Sequence, residues 1–134
     1  MPAELRFLSV EDVLQIQEDT VQMEGGRPGL LNPKLLESAV MTPQQQYEGS
    51  YLHEDVAAMA AAYLYHLCQN HAFHDGNKRA AAFSTVIFLH VNGFATPEPV
   101  DLESVTLRIA RSTMNKGEVA EWIRSIVGEH LTNP

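Results

Sequence analysis

His71-Ala-Phe-His-Asp75-Gly-Asn77-Lys78-Arg79, running directly into the apolar stretch Ala80 to Val91, is the segment on which the reading of this chain turns. Nine residues hold a titratable base, a carboxylate, a Gly-Asn turn and two adjacent cations. Helical patterns flank them. From about His53 to Asn70, Val56, Ala60, Tyr63, Leu64 and Leu67 follow i, i+4, i+7, i+8, i+11, an amphipathic helix with a wide buried stripe. Ala80 to His90 is apolar nearly all round, interrupted only by Ser84, Thr85 and His90, a pattern that belongs in the centre of a bundle. The two cations therefore stand where the second helix begins. There they oppose the helix dipole at roughly 0.3–1 kcal/mol each. A bound anion removes that conflict, because exposed N–H groups and the positive dipole end then act together with the side chains. The segment points to a phosphate.

Outward from it, breakers divide the chain into further helices. Ser9 and Asp12 read as an N-cap with an acidic third residue, and Val13, Ile16 and Val21 continue a helix near 10–24. Gly25-Gly26-Arg27-Pro28-Gly29 ends it. Asn32-Pro33 starts a short helix through about Met41. The segment from Thr42-Pro43 to Ser50 is a loop with a short extended piece around Tyr47. Asn92-Gly93 is a C-cap signal. Asp101 caps a helix to about Thr113, and Glu118 to His130 forms the last, with Val119, Trp122, Ile123 and Ile126 inward. The expected fold is all-α, a compact helical bundle in one domain over residues 1–134, with the motif loop between its two central helices.

Composition sets the bounds. Nine Lys and Arg against seventeen Asp and Glu give a net charge of −8, which argues against a broad basic surface for nucleic acid but leaves room for a small anion site. The single cysteine, Cys68, excludes an internal disulfide and reads as a buried small hydrophobe in a reducing compartment. The N-terminus lacks the basic start and apolar run of a signal peptide. The apolar stretch Ala80 to Val91 is shorter than the about 20 residues that span a bilayer. A cytoplasmic protein without membrane association is expected.

His-x-Phe-x-Asp-Gly-Asn-Lys-Arg resembles the signature of the Fic/Doc superfamily, and its Lys form is similar to the death-on-curing (Doc) toxin branch. The likeness extends through Gly25 to Glu37, similar to the Doc Gly-rich turn and second helix, and from Ala80 to Gly93, similar to its post-motif helix. The resemblance implies the Fic/Doc fold of about six helices. It implies His71 as general base, a role that suits an imidazole side chain. The simpler alternative is a histidine that caps the preceding helix. Asp75 becomes the Mg²⁺ ligand, a hard carboxylate for a metal that also bridges substrate phosphates, unless it merely N-caps the following helix. Gly76 and Asn77 turn backbone N–H groups toward phosphate, or form a plain turn with an N-cap. Lys78 and Arg79 are the phosphate clamps, and Phe73 is the core anchor of the loop. His71 and His74 in a His-x-x-His spacing also suggest zinc, but two ligands without a Cys partner do not make a site.

Weaker candidates lie outside the motif. Tyr47 and Tyr51 sit where this superfamily has a target-docking flap, and more simply staple a loop to the bundle; His53 accompanies them, and His66 reads as a satisfied core histidine. Thr20-x-x-x-Glu24-Gly25 fits the Fic autoinhibitory pattern, whose Glu pairs with a second motif Arg. That Arg is absent here, so no inhibitory role is expected.

The departures refine the reading. AMP-transferring Fic enzymes carry a second Gly after the Asn and a second Arg three positions beyond the first; here those positions hold Lys78 and Ala82. In the Doc branch these changes go with a nucleotide bound the other way round and transfer of its γ-phosphate. The implied activity is a toxin of a toxin–antitoxin system that uses ATP and Mg²⁺ to phosphorylate a Ser or Thr of a translation factor, elongation factor Tu in the Doc case, and is restrained by a small antitoxin protein. Protein adenylylation by the same residues is the alternative. A catalytically silent binding protein of the same fold is a third.

Overall fold

In a computed structural model describing residues 4–131, six helices enclose a core and a two-stranded hairpin lies at the edge. The helices are α1 (Val10–Glu24), α2 (Pro33–Met41), α3 (Val56–Gln69), α4 (Asn77–Val91), α5 (Pro99–Ala110) and α6 (Lys116–Leu131); β1 (Gln46–Tyr47) and β2 (Ser50–Tyr51) follow α2 after a 3₁₀ turn. α3 is the central rod, packed by α2, α4, α5 and α6. Its sequence explains why. Ala57, Ala60, Ala61 and Ala62 are all buried, and such small side chains let neighbouring helices approach on several sides. Between them Tyr63 fills the middle, its ring 4.9 Å from that of Phe88 on α4, which in turn stacks on Phe7 at 5.8 Å. The buried Tyr63 hydroxyl accepts the Leu8 N–H at 2.9 Å, and burial pushes its pKa up to about 12.

Local signals set the helix ends. Ser9 and Asp12 form the reciprocal capping box expected of α1, at 3.1 and 2.8 Å. Asn32 caps α2 with Pro33 next to it. Gly93 (φ 82°) follows Asn92 past the end of α4. Other starts differ from expectation. α3 begins at Val56, because Asp55 accepts the Ala58 N–H at 2.8 Å and so becomes the N-cap. The Asp55 carboxylate also takes a two-pronged grip from Arg124 of α6, at 2.7 and 3.1 Å, which holds its pKa below the usual range. α5 begins at Pro99, whose preset φ nucleates the turn; Asp101 therefore lies inside the first turn and is not the cap. α6 starts two residues early, at Lys116, where Asn115 and Glu118 exchange backbone N–H bonds at 3.0 and 2.8 Å.

α4 departs from the picture of a fully enclosed helix. Ala80, Ala81, Ser84, Thr85, Phe88 and Leu89 are buried, but Phe83, Ile87 and Val91 form an exposed row on its other face. An apolar sequence thus fills two environments, core and an open groove. In the segment between α2 and α3, Glu48 (φ 50°) and Gly49 (φ 82°) make the two-residue turn that pairs Tyr47 with Ser50 and Gln46 with Tyr51. Tyr51 staples this hairpin to the bundle through Phe7, ring centroids 5.6 Å apart, whereas Tyr47 is 67% exposed and makes no ring contact among the described residues.

Candidate active site

The loop between α3 and α4 owes its shape to contacts from both its own residues and distant ones. α3 stops at Gln69, and His71, exposed, takes a left-handed conformation (φ 49°). A non-glycine residue there stores roughly 1–2 kcal/mol of strain. No helix carbonyl receives its imidazole among the described residues, so the helix-capping alternative finds no bond. The next residues turn inward. Ala72 O accepts the N–H groups of Leu31 and Asn32 at 2.7 and 3.0 Å, and the His74 N–H donates to Gly29 O at 3.2 Å. The Gly-rich turn is thereby stitched along the motif. Gly29 (φ 123°) faces the His74 ring so closely that a Cβ would lie 3.3 Å from it.

Phe73 is 3% exposed and belongs to the main core cluster. Its backbone is held twice by one side chain: Asn77 Oδ1 accepts the Phe73 N–H at 3.0 Å, and Asn77 Nδ2 donates to Phe73 O at 2.9 Å. The side chain of Asn77 is thus taken up by Phe73 and does not cap α4, which corrects the plain turn-with-N-cap alternative. The N-cap is Gly76, in the left-handed region (φ 77°, ψ 15°), with no side-chain cap bond. The first three N–H groups of α4, on Asn77, Lys78 and Arg79, consequently have no partner among the described residues. Lys78 and Arg79 are both exposed on that same first turn.

Asp75 does not cap α4 either. Its Oδ2 accepts the Arg27 N–H at 2.7 Å, while its backbone carbonyl accepts from Gln17 Nε2 at 3.0 Å. Gly26 (φ 117°) lies against it, since an added Cβ would come 3.3 Å from Asp75 Cβ. Arg79, finally, forms an ion pair with Glu24 at the end of α1. Open amides and two cations thus share the first turn of α4, directly after the loop that carries His71 and Asp75.

The sequence profile of the Fic/DOC family matches residues 7–89, well over half of the chain and the whole of the motif region. The chain belongs to the Fic/DOC family. It is 27% identical to Protein kinase doc of Escherichia phage P1 over 124 residues, covering 92% of this chain and 98% of that protein. It is 35% identical to Toxin Doc of Mycolicibacterium smegmatis over 97 residues, 72% of each.

Within this Fic/DOC chain, sequence reasoning overlooked what α1 does. Gln17, Val21 and Glu24 lie on one face at i, i+4 and i+7 and meet the Asp75 carbonyl, Gly76 and Arg79 in turn. Gln17 is only 3% exposed. A polar residue at a buried spacing position was the available signal. Glu24 pairs with the first motif Arg, not with a second one, so the absence of an Arg at position 82 did not leave it without a motif partner.

His66 also differs from expectation. It is half-buried and its Nε2 lies 3.2 Å from Lys116 Nζ, which in turn lies 3.3 Å from Nε2 of His53. Both imidazoles act as acceptors for one ammonium. Burial, then Lys116 and His53, push the pKa of His66 down to about 4, and burial with Lys116 lowers that of His53. In the unfolded chain both titrate at about 6.5. Their contribution to stability is complete above that pH and is lost as pH falls from about 6.5 toward 4, where the unfolded state takes up protons first. Urea midpoints should therefore drop across this window, and His66→Gln should flatten the drop. Cys68 is buried as expected, and burial raises its thiol pKa. No helix among the described residues is long and apolar enough to cross a membrane.

Proposed function

We propose that the protein is a Doc-like toxin that moves the γ-phosphate of a nucleoside triphosphate onto a Ser or Thr hydroxyl of a protein, and that an antitoxin restrains it. The observation that carries this reading is the start of α4, where two exposed cations share a turn with three N–H groups that have no partner among the described residues. The relative named Protein kinase doc supports phosphate as the group moved, and the one named Toxin Doc supports a toxin held by an antitoxin partner; a translation factor as target rests on the family resemblance alone.

His71 takes the proton of the target hydroxyl, and the freed oxygen attacks the γ-phosphorus. The bond from that phosphorus to the β-bridging oxygen breaks, and a nucleoside diphosphate leaves. Arg79 meets the phosphate oxygens with its planar fork and Lys78 as a point charge, while the α4 amides stabilise charge that shifts during transfer. Asp75 suits a magnesium ion held through a single carboxylate oxygen. Its Oδ2 is engaged by Arg27, its Oδ1 has no partner among the described residues, and magnesium commonly uses one or two carboxylates together with substrate phosphates. Bound there, it would neutralise phosphate charge. Gln17 and Asn77 hold the loop in the shape that all of this requires.

Nucleotide labelled separately at the α- and γ-phosphates tests the reading. Label should reach protein from the γ-position; label arriving only from the α-position would make the enzyme an AMP transferase. Glu24 enters as a competitor for Arg79. Exposed ion pairs are worth about 0.2–1 kcal/mol, so Glu24→Gln should tighten ATP binding by about 1.4- to 5-fold in titration calorimetry.

A further inference from the structure

We propose that the cavity between α4 and α5 holds the base and ribose of the nucleoside triphosphate whose phosphates meet the α4 N-terminus. The proposal rests on the phosphate-transfer reading above and adds where the rest of the nucleotide lies. The cavity has a volume of about 550 Å³, within the range of small-molecule sites. Lys78 and Arg79 line it, and they are the same cations that flank the open amides, so it opens directly from the phosphate end. Ala82 comes next along the wall. Its methyl group leaves the passage clear, where a long side chain one turn beyond Lys78 would close it.

Phe83 follows on the same wall. It is 47% exposed and makes no ring contact within the fold among the described residues, an apolar face on which a base can stack. Across from α4, the α5 side brings the carboxylates of Glu98 and Glu103 to the lining. Carboxylates accept hydrogen bonds from ribose hydroxyls or an exocyclic amine and repel phosphate. The cavity thus brings cations, an aromatic face and carboxylate acceptors to one lining. A nucleoside triphosphate carries the matching groups: phosphates for the cations, a base for the aromatic face, and ribose hydroxyls and an exocyclic amine for the carboxylates. An apolar protein segment would fit Phe83 but would leave the carboxylates unanswered.

The test compares ATP with inorganic triphosphate, which keeps the phosphates and lacks the nucleoside, on the full chain and on two variants. Phe83→Ala removes the stacking face, and Leu107→Trp fills the cavity from a half-buried position; thermal unfolding verifies that each is folded. The parent should bind ATP at least about tenfold more tightly than triphosphate, in line with the value of stacking one base on an aromatic. Both variants should lose most of that difference while binding triphosphate as the parent does. Equal binding of ATP and triphosphate by the parent overturns the proposal, as does an ATP preference that both variants keep. If the variants keep the preference but escape neutralisation by antitoxin in cells, the cavity is a protein-docking groove. If neither compound binds, the phosphate-transfer reading itself fails, and the subsite falls with it.

Discussion

His71→Ala should lower phosphate transfer by about 10²–10⁴-fold, the usual worth of a positioned general base, without lowering the melting temperature. The structure separates the two readouts. The side chain is exposed and makes no hydrogen bond among the described residues, so its removal leaves no buried group unpaired. The backbone at φ 49° is strained for any residue with a Cβ, which makes His71→Gly the sharper variant. It should be equally inactive and melt no lower than the parent, because glycine adopts this conformation without the steric cost. Expression of either variant in cells should no longer arrest growth. Full toxicity from His71→Ala would leave only a binding role for the protein.

Phe73→Ala should cost about 3–5 kcal/mol in urea unfolding, as truncation of a buried aromatic does. The loss should reach the chemistry as well. Phe73 is the point where three restraints converge: its ring in the core, the Asn77 amide on both of its backbone groups, and the bridge to Leu30 of the Gly-rich turn. Below the lowered midpoint, the variant should still be folded yet transfer phosphate poorly. A cost under about 1 kcal/mol would mean that the backbone ties hold the loop unaided.

The helices were legible where a local signal determines them. Ser9 with Asp12, Asn32-Pro33 and Asn92-Gly93 each act within four residues, and the structure follows them closely. Starts went astray where a competing neighbour decided the outcome. Asp55 displaced His53 as the start of α3 because Arg124, far along the chain, reinforces it as a cap. The composition of the motif was plain from the sequence, but its internal wiring was not. Asn77 has the same chemistry facing a phosphate or facing Phe73, and only the path of the loop selects between them. Gln17 and Glu24 carried only partial signals, a polar residue at a buried spacing and a short pattern missing its second Arg, and Arg27 carried none, since their relation to the motif exists only once α1 has packed against α4. The exposed row Phe83–Ile87–Val91 could not be told from core, because apolar spacing records affinity for burial and not whether a neighbour is present.

One consequence concerns the order in which the chain is made. The contact from Gln17 to the Asp75 carbonyl spans 58 residues, and that from the Arg27 N–H to its carboxylate spans 48. Neither can form until translation has passed position 75, and contacts this distant in sequence are slow to close compared with a local helical hairpin. During most of its own synthesis the chain thus carries its candidate site unassembled, and the site can be completed only after the motif itself has been made.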